Sequence, residues 1–134
     1  MIRQPSIIEK PWGIEEIWSN APNYIGKILT INANQRLSRK YHRVRNHTIR
    51  ILEGTLTVEV GPFEAKGEIT EVKLTPGNAY HVPPMVIHRF CAGPEGVVLA
   101  EVSNAGANDA VRLEDDYRRV TDIPQDIKAC LLYT

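Results

Sequence analysis

The chain has 134 residues, with sixteen basic and sixteen acidic side chains and a formal net charge of zero. That length fits one domain that can bury a real core without disulfide staples. With no global field, neither nucleic acid nor an anionic membrane surface is expected as a partner, so any anion binding must come from a local cluster of basic residues.

The first residues, Met1 to Pro5, carry no apolar core of a secretory signal, and none is expected. No apolar run approaches the roughly 20 residues of a membrane span. The segment before residue 24 is read as short helical or irregular structure, with Trp12 and Trp18 covering an outer face. Strands are then predicted at Ile25–Ile31, Thr48–Leu52, Thr55–Val60, Glu68–Leu74, Ala79–Val82, Ile87–Cys91 and Val97–Val102. In Thr55–Val60 the apolar Leu56, Val58 and Val60 alternate with Thr57 and Glu59, the period of a half-buried strand. Turns are predicted at Glu53-Gly54, Gly61-Pro62, Pro76-Gly77, Pro83-Pro84 and Gly93-Pro94. Short strands at such intervals indicate an all-β sandwich or barrel. Helix is expected only at Asp109–Arg119 and Pro124–Leu132. Cys91 and Cys130, far apart and without metal-type spacing, read as reduced thiols of a cytoplasmic protein.

The four histidines, His42, His47, His81 and His88, carry the strongest chemical signal. Along a strand Ser38, Lys40 and His42 share one face, and Arg39, Tyr41 and Arg43 the other. Neutral imidazoles converging from separate segments suit Zn, Fe, Ni, Cu or Mn. Arg36, Arg39, Lys40, Arg43, Arg45, Arg50 and Arg89 surround them, and guanidinium forks suit phosphate oxygens. Arg39 and Arg43 are expected to face solvent. Lys40, Arg45 and Arg89 are the better candidates for an anionic ligand.

The stretch Arg36–Gly54, with Lys40, His42 and His47, resembles the first motif of the cupin barrels, and Pro76–Arg89, with His88, resembles the second. Lys10-Pro11-Trp12-Gly13, Gly26-Lys27-Ile28-Leu29 and Asp109–Arg119 resemble segments of the type II mannose-6-phosphate isomerase group, which also forms the C-terminal domain of mannose-1-phosphate guanylyltransferases. The resemblance implies an all-β double-stranded β-helix (a jelly-roll-like barrel) spanning 1–134 as one domain. Its barrel core would run from about 24 to 104, followed by a closing signature and tail. It also implies one divalent transition metal, zinc first and Fe, Mn or Ni next, on His42, His47 and His88. Lys40 stands where the group has Gln, and His47 where it has Glu. Lys40 then has three readings: an amine neutralised by burial as a fourth ligand, a side chain aimed at substrate, or a charge that replaces the ion.

By the resemblance Lys27 and Arg112 lie at the pocket, and Glu101, in the group's Glu-Val pattern, is a candidate acid or base. From their place near the histidines Lys40 joins it as a catalytic candidate, Arg45 and Arg89 join the sugar-phosphate binders, and His81 is a residue of the rim. Isomerisation of a phosphorylated hexose such as mannose 6-phosphate is the implied activity. A three-histidine dioxygenase and a non-catalytic sugar-phosphate or nucleotide-sugar binding module are the alternatives. A homodimer burying the outer barrel face is expected. Met85 and Arg118 occupy positions where the group has glycine, so a left-handed turn at either would be strained.

Overall fold

The computed structural model describes residues 1–62, 68–105 and 109–119, and these form nine strands and no helix. In chain order they are β1 (Ser6–Lys10), β2 (Gly13–Asn20), β3 (Tyr24–Ile31), β4 (Arg39–His42), β5 (His47–Pro62), β6 (Thr70–Leu74), β7 (Ala79–Val82), β8 (Val86–Asn104) and β9 (Ala110–Glu114). All pair antiparallel in one curled sheet, the expected all-β barrel.

The long strands β5 and β8 form the spine, paired from His47↔Ser103 to Pro62↔Val86. The first half of β5 carries β7 on its free side, and the second half carries β6. The second half of β8 pairs with β3, while its first half meets β4 at Lys40↔His88. The register between β5 and β8 slips on both sides of Glu53 and Gly54. Gly54 (φ +76°) and Gly96 (φ +78°) meet there, and a Cβ on Gly54 would lie 2.1 Å from the Gly96 carbonyl oxygen. Only glycine fits, and the bulge bends both strands so that the sheet closes round an interior.

Period-two alternation fills that interior with Leu29, Ile31, Ile49, Ile51, Leu56, Val58, Phe90 and Leu99, all almost fully buried. Each contributes about 1.5–3 kcal/mol through burial. A second cluster of Tyr41, Ile87 and Val111, with Leu113 against it, clamps β9 onto the outer side of β4.

Several expectations are corrected. Glu53-Gly54 and Gly93-Pro94 are bends within continuous strands rather than turns, because bulges and turns draw on the same residues. The helix expected at Asp109–Arg119 is β9, with Val111 and Leu113 on one side and Arg112 on the other. The N-terminal segment is the β1–β2 hairpin, added to the sheet edge beside β3. Trp12 lies inside the core at 4% exposure, and only Trp18 sits on the surface, over Gly26. Met85 (φ +65°) and Arg118 (φ +63°) both adopt the left-handed conformation that their glycine-like positions suggested. The tail helix at Pro124–Leu132 and Cys130 lie outside the described residues, and Cys91 is a free thiol.

Candidate metal and ligand site

β4 delivers His42, the start of β5 delivers His47, and β8 delivers His88 from beside Lys40. One potential ligand nitrogen from each lies within 4.8 Å of the others. Ring centroids are 5.2–5.6 Å apart. Each Nδ1 has its own acceptor: His42 donates to Asp109 Oδ1 (2.9 Å), His47 to Glu101 Oε1 (2.7 Å) and His88 to the Val86 carbonyl (3.0 Å). Those acceptors fix the proton on Nδ1 and leave every Nε2 as a lone pair. His47 Nε2 and His88 Nε2 are buried with no hydrogen-bond partner among the described residues. Buried polar atoms are rarely left unmatched. The three histidines therefore fit a divalent transition metal, held through nitrogen alone.

The electrostatics agree. Burial pushes His42 down to about 4 and His88 well below its usual range, so both rings are neutral and ready to ligate near neutral pH. Burial alone would raise Glu101, but the hydrogen bond from His47 and the charges of Lys27 and Lys40 pull it down to about 2. Burial likewise opposes ionisation of Asp109. Hydrogen bonds from the Val44 and Arg45 amides and from His42 outweigh it and bring the carboxyl to about 2. Both carboxylates are thus ionised behind the rings they orient.

A cavity of about 290 Å³ opens above the triad, with His42 and His47 on its wall and His88 buried deeper. Lys27, Lys40, Arg45 and Arg112, all expected at the ligand, line it. Lys10, Trp12, Glu15 and Arg119 join them. Lys27 Nζ donates to Glu15 Oε1 at 2.9 Å. Lys40 is pulled down to about 8, first by burial and then by Arg112, Arg119 and Lys27, against the attraction of Glu101.

Other expected residues are placed elsewhere. Arg89 follows His88 on β8 and so points to the opposite face. It is 2% exposed, donates to the Leu37 carbonyl (2.9 Å) and reaches Glu114 and Asp116. Arg39 is no solvent-facing residue either, being paired with Glu59 (2.7 Å) and Glu114 (3.2 Å). His81 is an exposed rim residue bonded to Asn46. Glu101, expected as an acid or base, is engaged by His47. Asp109, the partner of His42, and Glu15, on the cavity wall, are not among the expected site residues. The alternation of β2, with Glu15 and Ile17 on one side, was the available signal.

A curled antiparallel barrel whose mouth brings together three imidazoles placed to hold a metal ion is the class of protein that the fold and the site define. Residues 27–103, more than half of the chain, match the model of the Cupin domain, and the chain belongs to that family. No curated protein matches the sequence. Similar solved structures include the capsular polysaccharide assembling protein CapF from Staphylococcus aureus, with TM-score 0.76 and 13% identity over 84% of this chain. KdgF from Halomonas sp. gives TM-score 0.65 and 16% identity over 78% of this chain and 91% of its own. Oxalate decarboxylase from B. subtilis gives TM-score 0.69 and 14% identity over 81% of this chain. The chain spans only 33% of CapF and 30% of oxalate decarboxylase. At these identities the likeness is one of fold, which hosts many chemistries.

Proposed function

We propose that this cupin is a metal-dependent isomerase of a small phosphorylated sugar, with His42, His47 and His88 holding one divalent transition metal, zinc first and iron, manganese or nickel next. The observation that supports it is the convergence of three Nε2 lone pairs beneath a cavity rimmed with cations. When bound, the metal would supply Lewis-acid polarisation of a carbonyl. Asp109, Glu101 and the Val86 carbonyl hold the three rings in their ligating tautomer. Trp12, Leu29 and Phe90 give the cavity an apolar flank that excludes water. Arg45 and Arg112 offer forks to the anionic group. An aldose–ketose isomerisation moves a proton between C1 and C2 and needs a base in the cavity. Glu101 is committed to His47, so that role falls to Glu15, steadied by Lys27 and Lys10.

The test is proton exchange at C2 of mannose 6-phosphate in D2O, followed by NMR with zinc-loaded protein. Deuterium incorporation that disappears in His88→Ala and Glu15→Gln is the expected result. No exchange with any of the four metals overturns the isomerase reading. The all-imidazole donor set favours a second reading, a three-histidine dioxygenase, which oxygen uptake by iron-loaded protein would reveal.

A further inference from the structure

The strands β1, β2, β3, β8 and β5 lie side by side, and one row of register partners crosses them from Ile7 through Glu16, Ile28 and Ala100 to Arg50. Their chain neighbours Glu15, Lys27, Leu29 and Glu101 line the cavity. By alternation the row therefore faces outward. On the same face Trp18 lies over Gly26, whose register partner is Val102. Ile7, Ile14, Trp18, Tyr24 and Val102 are large apolar side chains, yet they are 43–59% exposed. A contiguous apolar patch of that extent is seldom left open to water, and Trp and Tyr are side chains that interfaces favour.

Charge on this face is confined to its flanks. From Tyr24 to Thr30 and from Val98 to Asn104, the central strands β3 and β8 carry none on the outward side. Glu16 stands on one flank, on β2, and Arg50 on the other, on β5. Neither has an ion-pair partner among the described residues. Consider a second copy turned about a two-fold axis that runs along the strands, midway between β3 and β8. It sets the partner's Arg50 over Glu16, the partner's Glu16 over Arg50, and apolar side chains between them. An axis running across the strands would set Glu16 on Glu16 and is disfavoured. The row is thus complementary to its own reverse, which is what an isologous interface requires. We propose that this outer face is the interface of a two-fold homodimer, closed by two Glu16–Arg50 pairs, with the two sheets packed aligned through their twist. The inference rests on neither the metal nor the proposed reaction.

The experiment is sedimentation equilibrium of the untagged full chain over a range of concentrations. Glu16→Arg, Arg50→Glu, the double variant and an equal mixture of the two single variants are run beside wild type. Wild type should be a dimer. Either single variant should raise the dimer dissociation constant more than about tenfold, because two like-charge contacts replace two opposite ones. The double variant should recover, and so should the mixture, whose heterodimer again sets opposite charges at both ends. Wild-type protein that is monomeric at about 100 μM overturns the interface. A dimer that neither single variant weakens uses another surface, such as the open edge of β1, and overturns it equally. Weakening without recovery in the double variant and the mixture overturns the Glu16–Arg50 pairing and its axis. Should a charge variant not fold, Val102→Glu sets a carboxylate beside the axis. It should leave a monomer with an unchanged circular dichroism spectrum, and a dimer that survives it contradicts the proposal.

Discussion

Two regions of this barrel concentrate charge, and they treat it differently. On the outer seam where β4 meets β9, Arg36 pairs with Asp116 at 2.7 Å, Arg39 with Glu59 and Glu114, and Arg89 with Glu114 and Asp116. Every one of these arginines has an acid, and the network straps β9 to the wall. In the mouth, Lys10 and Lys27 share Glu15, Arg119 pairs with Asp115, and Lys40, Arg45 and Glu101 line the same cavity. There two imidazole nitrogens are also buried without hydrogen-bond partners among the described residues. Matched charge builds the fold. Unmatched imidazole lone pairs mark what the molecule is built to receive.

That contrast can be broken from either side. The largest effect is expected from His88→Ala, which removes one of three ligands and should weaken zinc affinity by more than about 100-fold, beyond the loss of an outer partner. The metal-free barrel should keep its circular dichroism spectrum. Next comes acid. In the unfolded chain imidazoles take up protons near 6.5, while His42 in the folded, metal-stripped protein stays neutral to about 4. The unfolded state binds more protons in that window, so stability falls as pH drops from about 6.5 to 4. Glu101, lowered from 4.5 to about 2, adds a further loss as pH falls below 4.5. The seam lasts longer. Asp116 is held down first by its hydrogen bond from Arg36, and its contribution fades only as pH falls below 3.8. Urea midpoints across pH, with and without zinc, would separate the two regions, since zinc should protect the mouth alone.

Glu101→Gln keeps the size of the side chain but removes the carboxylate behind His47. It should weaken zinc binding tenfold to a hundredfold in a competition titration. Arg89→Met, on the seam, should leave zinc affinity unchanged and lower unfolding stability by about 1–2 kcal/mol, because the Leu37 carbonyl loses its donor. The smallest effect is at the rim. Met85 holds φ +65°, and Met85→Gly should stabilise the fold by up to about 1 kcal/mol, less the added freedom of the unfolded chain.

The triad was legible in the sequence because His42, His47 and His88 sit in motifs whose spacing survives even where the chemistry at Lys40 and His47 departs from the pattern. Ala79–Val82 was legible to the residue because Pro76-Gly77 and Pro83-Pro84 bound it. The β1–β2 hairpin was not. Its first strand, β1, lies at the sheet edge with four of its five residues exposed, so burial imposed no apolar alternation there. β9 is five residues long, too short for period two to stand out against a helical reading. Its strand character comes from β4 and from the cluster of Tyr41 and Ile87 beneath it. Arg89 was misplaced as a substrate residue although the strand rule was available: with His88 facing inward, its neighbour faces out. What no single segment could reveal is pairing across the fold. Asp109 behind His42, Glu101 behind His47 and Lys40 opposite Arg112 depend on distant strands meeting.

The most direct test of the account is metal stoichiometry by elemental mass spectrometry on untagged protein, beside His88→Ala. Near one equivalent of a transition metal in wild type, lost in the variant, is the predicted result. No metal in either sample, even after incubation with zinc, iron, manganese and nickel salts, would contradict the three-histidine site and with it the metal-dependent function.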